Sequence, residues 1–172
     1  MKKVLAVLFL FTLCSAVALA IDNDDSVVRW KSIVGVITSP GVDAPVAGIH
    51  AGATAWTVKS GRARVNLSTG SASFEVEALN INSTNSTGTP GPITSVTGTL
   101  VCNAGTAAQA ILDSAPVSLS AQGDAEFSGQ IAGIPAVCGN PLFLVRIAAP
   151  AGAAGRWIAT GTDRFIGDND NN

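Results

Sequence analysis

The chain has 172 residues, 47% of them hydrophobic and only 13% charged, with 18 glycines, no tyrosine and a formal charge of −2. So sparse and mildly acidic a charge pattern argues against nucleic acid or an anionic membrane as the partner. A single histidine and three cysteines leave little from which to build a copper or zinc centre.

The first twenty residues read as a leader rather than as part of the fold. Lys2 and Lys3 give a positive start, Val4 to Leu13 is an apolar run, and Ala18-Leu19-Ala20 is a small-x-small cleavage site. The apolar run falls short of the ~20 residues that a spanning helix needs, so no membrane span is expected in the mature chain. Leu13 is bulkier than the small residue that lipoprotein signals carry before their cysteine, so Cys14 is not taken as a lipidation site. A signal peptide at 1–20 leaves a single secreted domain at 21–167 and a polar tail at 168–172. Its removal takes two of the ten basic residues, leaving eight against twelve acidic ones, about −4.

Val27 to Thr38, rich in Val, Trp and Ile, predicts a first strand, with Gly35 as a candidate bulge. Ser39 to Gly52 carries prolines and glycines and predicts a loop; Ala53 to Lys59 predicts a short strand around Trp56. Arg62 to Leu67 alternates, with Ala63, Val65 and Leu67 on one side. Ser71 to Ala78 alternates again, with Ala72, Phe74, Val76 and Ala78 inward. With Ser68-Thr69-Gly70 between them, the two runs predict a β-hairpin whose arginines face Glu75 and Glu77 across the exposed side.

Asn80 to Pro92 is nearly all Asn, Ser, Thr, Gly and Pro and predicts a mobile loop. Its Asn82 and Asn85 sequons, like the one at Asn66, are triplets that polar loops produce by chance. Ser95 to Cys102 puts Val96, Gly98, Leu100 and Cys102 on a buried face and Ser95, Thr97 and Thr99 on the other. Ala104 to Leu112 is the one place for a helical turn or two. Short strands follow on either side of Pro116, at Ala125 to Ile131, at Leu142 to Ile147 and at Arg156 to Thr162. Nine or so short strands without a helical period predict an all-β fold, an antiparallel β-sandwich of Ig-like or Greek-key type or a barrel-like form. In an exported chain the two mature cysteines, Cys102 and Cys138, predict one disulfide.

Candidate chemistry is thin. His50 sits in a loop of small residues with no neighbouring nucleophile, and reads as a solvated residue. Asp22, Asp24 and Asp25 with Asp163, Asp168 and Asp170 lack the spacing of a calcium loop and read as solvated tails. Glu75, Glu77, Glu126 and Asp124 are the carboxylates that resemble a glycosidase pair, though hairpin solubility explains Glu75 and Glu77 better. Trp30, Trp56 and Trp157 either fill the core or, if exposed, form a platform for stacking on sugar rings.

Beyond these residues, Gly61 to Gly161 resembles the chordin-type (CHRD) domain of secreted proteins. The likeness rests on S-G-R-A-R-V-N-L-S-T-G-S-A-S-F-E-V-E-A-L and on L-F-L-V-R-I-A-A-P-A-G-A-A-G-R-W-I-A-T-G. Where that family carries histidines, this chain has Ile93-Thr94-Ser95-Val96 and Arg146-Ile147-Ala148, and the cysteine pair is not a family hallmark. The resemblance implies an extracellular β-sandwich module without established chemistry.

The reading is therefore a secreted, non-catalytic β-sandwich that binds or serves as a structural surface module. It implies no cofactor, no metal and no nucleic acid; the partner would be a carbohydrate or a protein surface. Two alternatives stand beside it: a carbohydrate-binding module built on the three tryptophans, and a hydrolase whose site assembles from His50, Asp113 and Ser118.

Overall fold

The computed structural model describes residues 26–38, 42–150 and 155–167. The leader, the aspartates at 22, 24 and 25, and the tail at 168–172 lie outside the described residues. The described residues form eleven strands. In order they are β1 (Val27–Gly35), β2 (Trp56–Thr57), β3 (Ser60–Asn66), β4 (Ser71–Glu77) and β5 (Asn80–Ile81). Then come β6 (Ser95–Cys102), β7 (Ala110–Asp113), β8 (Val117–Ser118), β9 (Ala125–Gln130), β10 (Leu142–Ala149) and β11 (Trp157–Ile166). Nine of them make one antiparallel sheet in the order β7-β6-β10-β11-β1-β3-β4-β9, with β8 also on β6; β2 and β5 make a second, two-stranded sheet. Among the described residues no helix is long and apolar enough to cross a membrane.

The hairpin forms as its alternation predicts. Ala63 lies opposite Phe74, Val65 opposite Ala72 and Arg62 opposite Glu75. Ala63, Val65, Ala72, Phe74 and Val76 are buried, while Arg62, Arg64 and Ser73 are exposed. Burying one apolar face per strand requires a second surface to cover it, and here the large sheet covers itself by curling. The rings of Phe74 on β4 and Phe143 on β10 lie 5.7 Å apart although three strands separate them within the sheet. Trp30 on β1 joins Phe143 at 5.5 Å, and Phe127 on β9 stacks on Phe74 at 5.8 Å. The curled sheet agrees with the expected all-β class, a β-sandwich or barrel-like form, with its aromatic cluster inside.

Gly98 on β6 shows how tightly the interior is filled. A Cβ there would lie 2.8 Å from Phe143 Cζ and 2.8 Å from two ring carbons of Phe74. The missing side chain is what lets β6 meet the aromatic cluster.

The edges of the sheet, β7 and β9, do not pair with each other. The connection from β9 to β10 runs along this seam instead. Gly133 approaches Leu112 of β7, Asn103 N–H donates to the Gly139 carbonyl at 2.9 Å, and Asn103 Nδ2 donates to the Val137 carbonyl at 2.9 Å. Within this stretch Cys138 is joined to Cys102 at the end of β6. The disulfide thus fastens the chain leaving one edge to the strand beside the other edge, where ladder hydrogen bonds are missing.

Four local expectations need correction. β6 is buried on both faces, not one, because the end of β7 and the residue after it cover its threonines. Thr97 Oγ1 donates to the Ser114 carbonyl at 2.8 Å, and Thr99 Oγ1 donates to Asp113 Oδ1 at 2.6 Å. Gly35 holds regular register with Ala159; a Cβ there would lie 2.1 Å from the Trp56 carbonyl oxygen, so the glycine admits a crossing backbone instead of a bulge. The Ala104–Leu112 stretch makes turns and then β7, with no helix. The polar stretch after β4 has a definite shape: Asn80–Ile81 pairs with Trp56–Thr57, Ile81 and Ile93 are buried, and Thr84, Thr87, Ser86 and Thr89 bond one another locally.

Candidate functional site

A groove of about 420 Å³ lies on the outer face of β1, β3, β4 and β9. Strand alternation puts it there, since every inward residue of these strands has an outward neighbour. Two cross-strand rows line it. One runs Arg29–Arg64–Ser73–Ser128, each residue directly opposite the next on adjacent strands. The other runs Arg62–Glu75–Glu126, with Lys31 beside it on β1. A smaller hollow of about 200 Å³ adjoins it and shares Arg64, Ser73 and Ser128, adding Asn66 and Ser71.

The charges in the groove are unevenly matched. Arg62 Nε meets Glu75 Oε1 at 3.0 Å, an exposed pair worth little to stability. Lys31 Nζ lies 4.3 Å from the centroid of the Phe165 ring. Arg29 is held by donating Nη1 to the Gly167 carbonyl at 2.8 Å. Arg64 has no carboxylate partner among the described residues. Four of the eight basic residues after position 20 therefore line one groove, in a chain that is acidic as a whole.

The three tryptophans are interior, with exposures of 2% for Trp30, 3% for Trp56 and 7% for Trp157. Trp30 belongs to the aromatic cluster. Trp157 donates Nε1 to the Ala44 carbonyl at 3.0 Å, and Trp56 packs beside Gly52, so both lie beneath the segment between β1 and β2. They offer no outward platform for a sugar ring; filling the interior is what three large aromatics do in a chain this poor in them.

His50, Asp113 and Ser118 are engaged separately. His50 Nδ1 bonds the Asp43 carboxylate, which also accepts the Ala51 N–H at 3.0 Å. These two hydrogen bonds, the histidine's first, hold the Asp43 carboxyl below its ordinary value. Asp113 takes Arg146 Nη1 on both oxygens, at 2.9 and 3.1 Å, besides Thr99. Ser118 lies in β8 opposite Ser95. Of the four carboxylates singled out by type, Glu75 and Glu126 are neighbours across β4 and β9 in the groove. Glu77 bonds Ser60 Oγ at 2.9 Å and Lys59 Nζ at 3.4 Å, and with these donors its carboxyl is held below the usual range. Asp124 caps a turn by accepting the Ala78 N–H at 2.9 Å. No group of three or more metal-ligating side chains comes together among the described residues.

Sequence reasoning names Arg62 and Arg64 only as hairpin charges and passes over Arg29, Lys31, Ser73 and Ser128. The groove arises from strand order, and β1–β3 and β4–β9 adjacency leaves no local mark in the sequence. The fold defines an all-β domain built on one curled antiparallel sheet. No family model, curated protein or solved structure matches the chain.

Proposed function

We propose that the chain is an exported, non-catalytic binding module whose working surface is the outer face of β1, β3, β4 and β9. The observation that carries this reading is the open groove that gathers Arg29, Lys31, Arg62 and Arg64 with Ser73 and Ser128. Its geometry suits recognition: the polar groups stand on hydrogen-bonded strands, a rigid base on which donors keep their spacing. A signal peptide and a disulfide-fastened seam accord with work outside the cytoplasm. The reading also agrees with what the resemblance to the chordin-type domain implies.

The test uses purified Ile21–Asn172. It is passed over immobilised polysaccharides and proteins and incubated with a broad panel of ester and glycoside substrates. Retention on at least one matrix without turnover is the expected result. Turnover that survives repurification and follows the protein through a sizing column would refute it.

A further inference from the structure

We infer that the free edge of β9 takes an extended peptide as an added strand, with a lysine or arginine of that peptide set opposite Glu126. This rests on the binding-module reading above and names the class of partner. β9 ends the large sheet, hydrogen-bonded to β4 alone. Ser120 N–H donates to the Asp124 carbonyl at 2.9 Å in the turn before β9, and among the described residues no further backbone bond reaches Ala125–Gln130 from that side. In an antiparallel ladder every second residue of an outer strand turns its N–H and C=O away from its neighbour. Such a row of donors and acceptors is satisfied by another strand.

The two edges of the sheet differ. β7 is blunted: it has four residues and Pro116 follows it. The connection to β10 also lies along it, with Gly133 beside Leu112 and Asn103 bonded to Val137 and Gly139. β9 has six residues and keeps unbroken register with β4. It contains no proline, lysine or bulge, the devices that close an edge to pairing.

Charge selects the partner. Glu126 lies opposite Glu75, which takes Arg62 Nε at 3.0 Å, while Glu126 has no ion-pair partner among the described residues. Like charges directly opposite each other are destabilising. A cation on the next strand out offsets this and completes a row of Arg62, Glu75, Glu126 and cation. A second copy of the chain does not supply it, since neither β9 nor β7 holds a basic residue. Ser128 and Gln130 are exposed with Glu126, whereas Ala125 and Phe127 are buried. The peptide therefore alternates hydroxyl or basic residues with apolar β-branched ones.

Binding of Ile21–Asn172 is measured by fluorescence anisotropy with the capped, N-terminally labelled peptide Thr-Val-Thr-Val-Lys and with the same peptide ending in glutamate. Antiparallel addition sets the last residue opposite Glu126 and the valines opposite Phe127 and Gly129. The lysine peptide is expected to bind roughly three- to tenfold more tightly than the glutamate peptide, the range for a cross-strand pair changed from attraction to repulsion. That preference should shrink as salt rises. Glu126→Lys should reverse it and Glu126→Gln should abolish it, with circular dichroism and melting to confirm that each variant folds. Methylating alternate amide nitrogens of the peptide should abolish binding in one phase and spare it in the other, because only every second amide meets β9. The inference is overturned if the lysine peptide does not bind, if both peptides bind alike, or if both methylation phases bind. It is also overturned if the protein without peptide runs as a dimer on a sizing column with the β9 amides protected from exchange. Retention on a polysaccharide or protein matrix with no response to the lysine peptide overturns the inference and leaves the module reading standing.

Discussion

Replacing both Cys102 and Cys138 with alanine tests the seam. The crosslink closes a loop of 36 residues, and the chain-entropy model gives about 4 kcal/mol for a loop of that length. That is a large part of the roughly 5–15 kcal/mol that holds a domain together. Because β7 and β9 share no ladder hydrogen bonds, the covalent link is backed only by the few bonds of Asn103 to Val137 and Gly139. The cost should therefore appear nearly in full. For a domain of this size it corresponds to a fall in Tm on the order of 10–15 °C. Urea unfolding should show a lower midpoint with a steeper slope, since the uncrosslinked denatured chain exposes more surface. Hydrogen exchange should accelerate first in β7 and in the residues leaving β9. A Tm within about 2 °C of wild type, or two freely titrating thiols in protein purified without reductant, would refute the reasoning.

Two further perturbations address the interior and the loop face. Gly98→Val inserts atoms where the rings of Phe74 and Phe143 already stand, and overpacking of this kind costs about 1–3 kcal/mol, read from the urea midpoint; an unchanged midpoint would mean that β6 does not meet the aromatic cluster. The Asp43 carboxyl, held below its ordinary value chiefly by His50, should titrate lower in wild type than in His50→Ala, followed by carboxyl carbon-13 shifts. A depressed carboxylate contributes stability above its unfolded pKa and loses it as pH falls through the folded value, so the His50 contribution fades on the acid side. A higher titration in wild type than in the variant would contradict the assignment.

How much of this was legible in the sequence depends on the range of the interaction. The β3–β4 hairpin could be read because its signal is local: two alternating runs and a short turn. The disulfide followed from having only two cysteines, Cys102 and Cys138, after the first twenty residues. β6 was misread as one-sided because Thr97 and Thr99 look solvent-facing until Ser114 and Asp113, well separated in sequence, supply their partners. The Asn80–Pro92 stretch looked too polar to order itself. Its few apolar residues, Ile81 and Ile93, nonetheless anchor it, and its hydroxyls satisfy one another. Arg29 and Arg64 are 35 positions apart, and only the β1–β3 register makes them neighbours.

The most direct test of an apolar interior wrapped by a charged outer face is acrylamide quenching of tryptophan emission. Trp30, Trp56 and Trp157 are all interior, so the native protein should emit at blue-shifted wavelengths and resist the quencher until it unfolds. Emission and quenching close to those of free tryptophan in the folded protein would contradict the account.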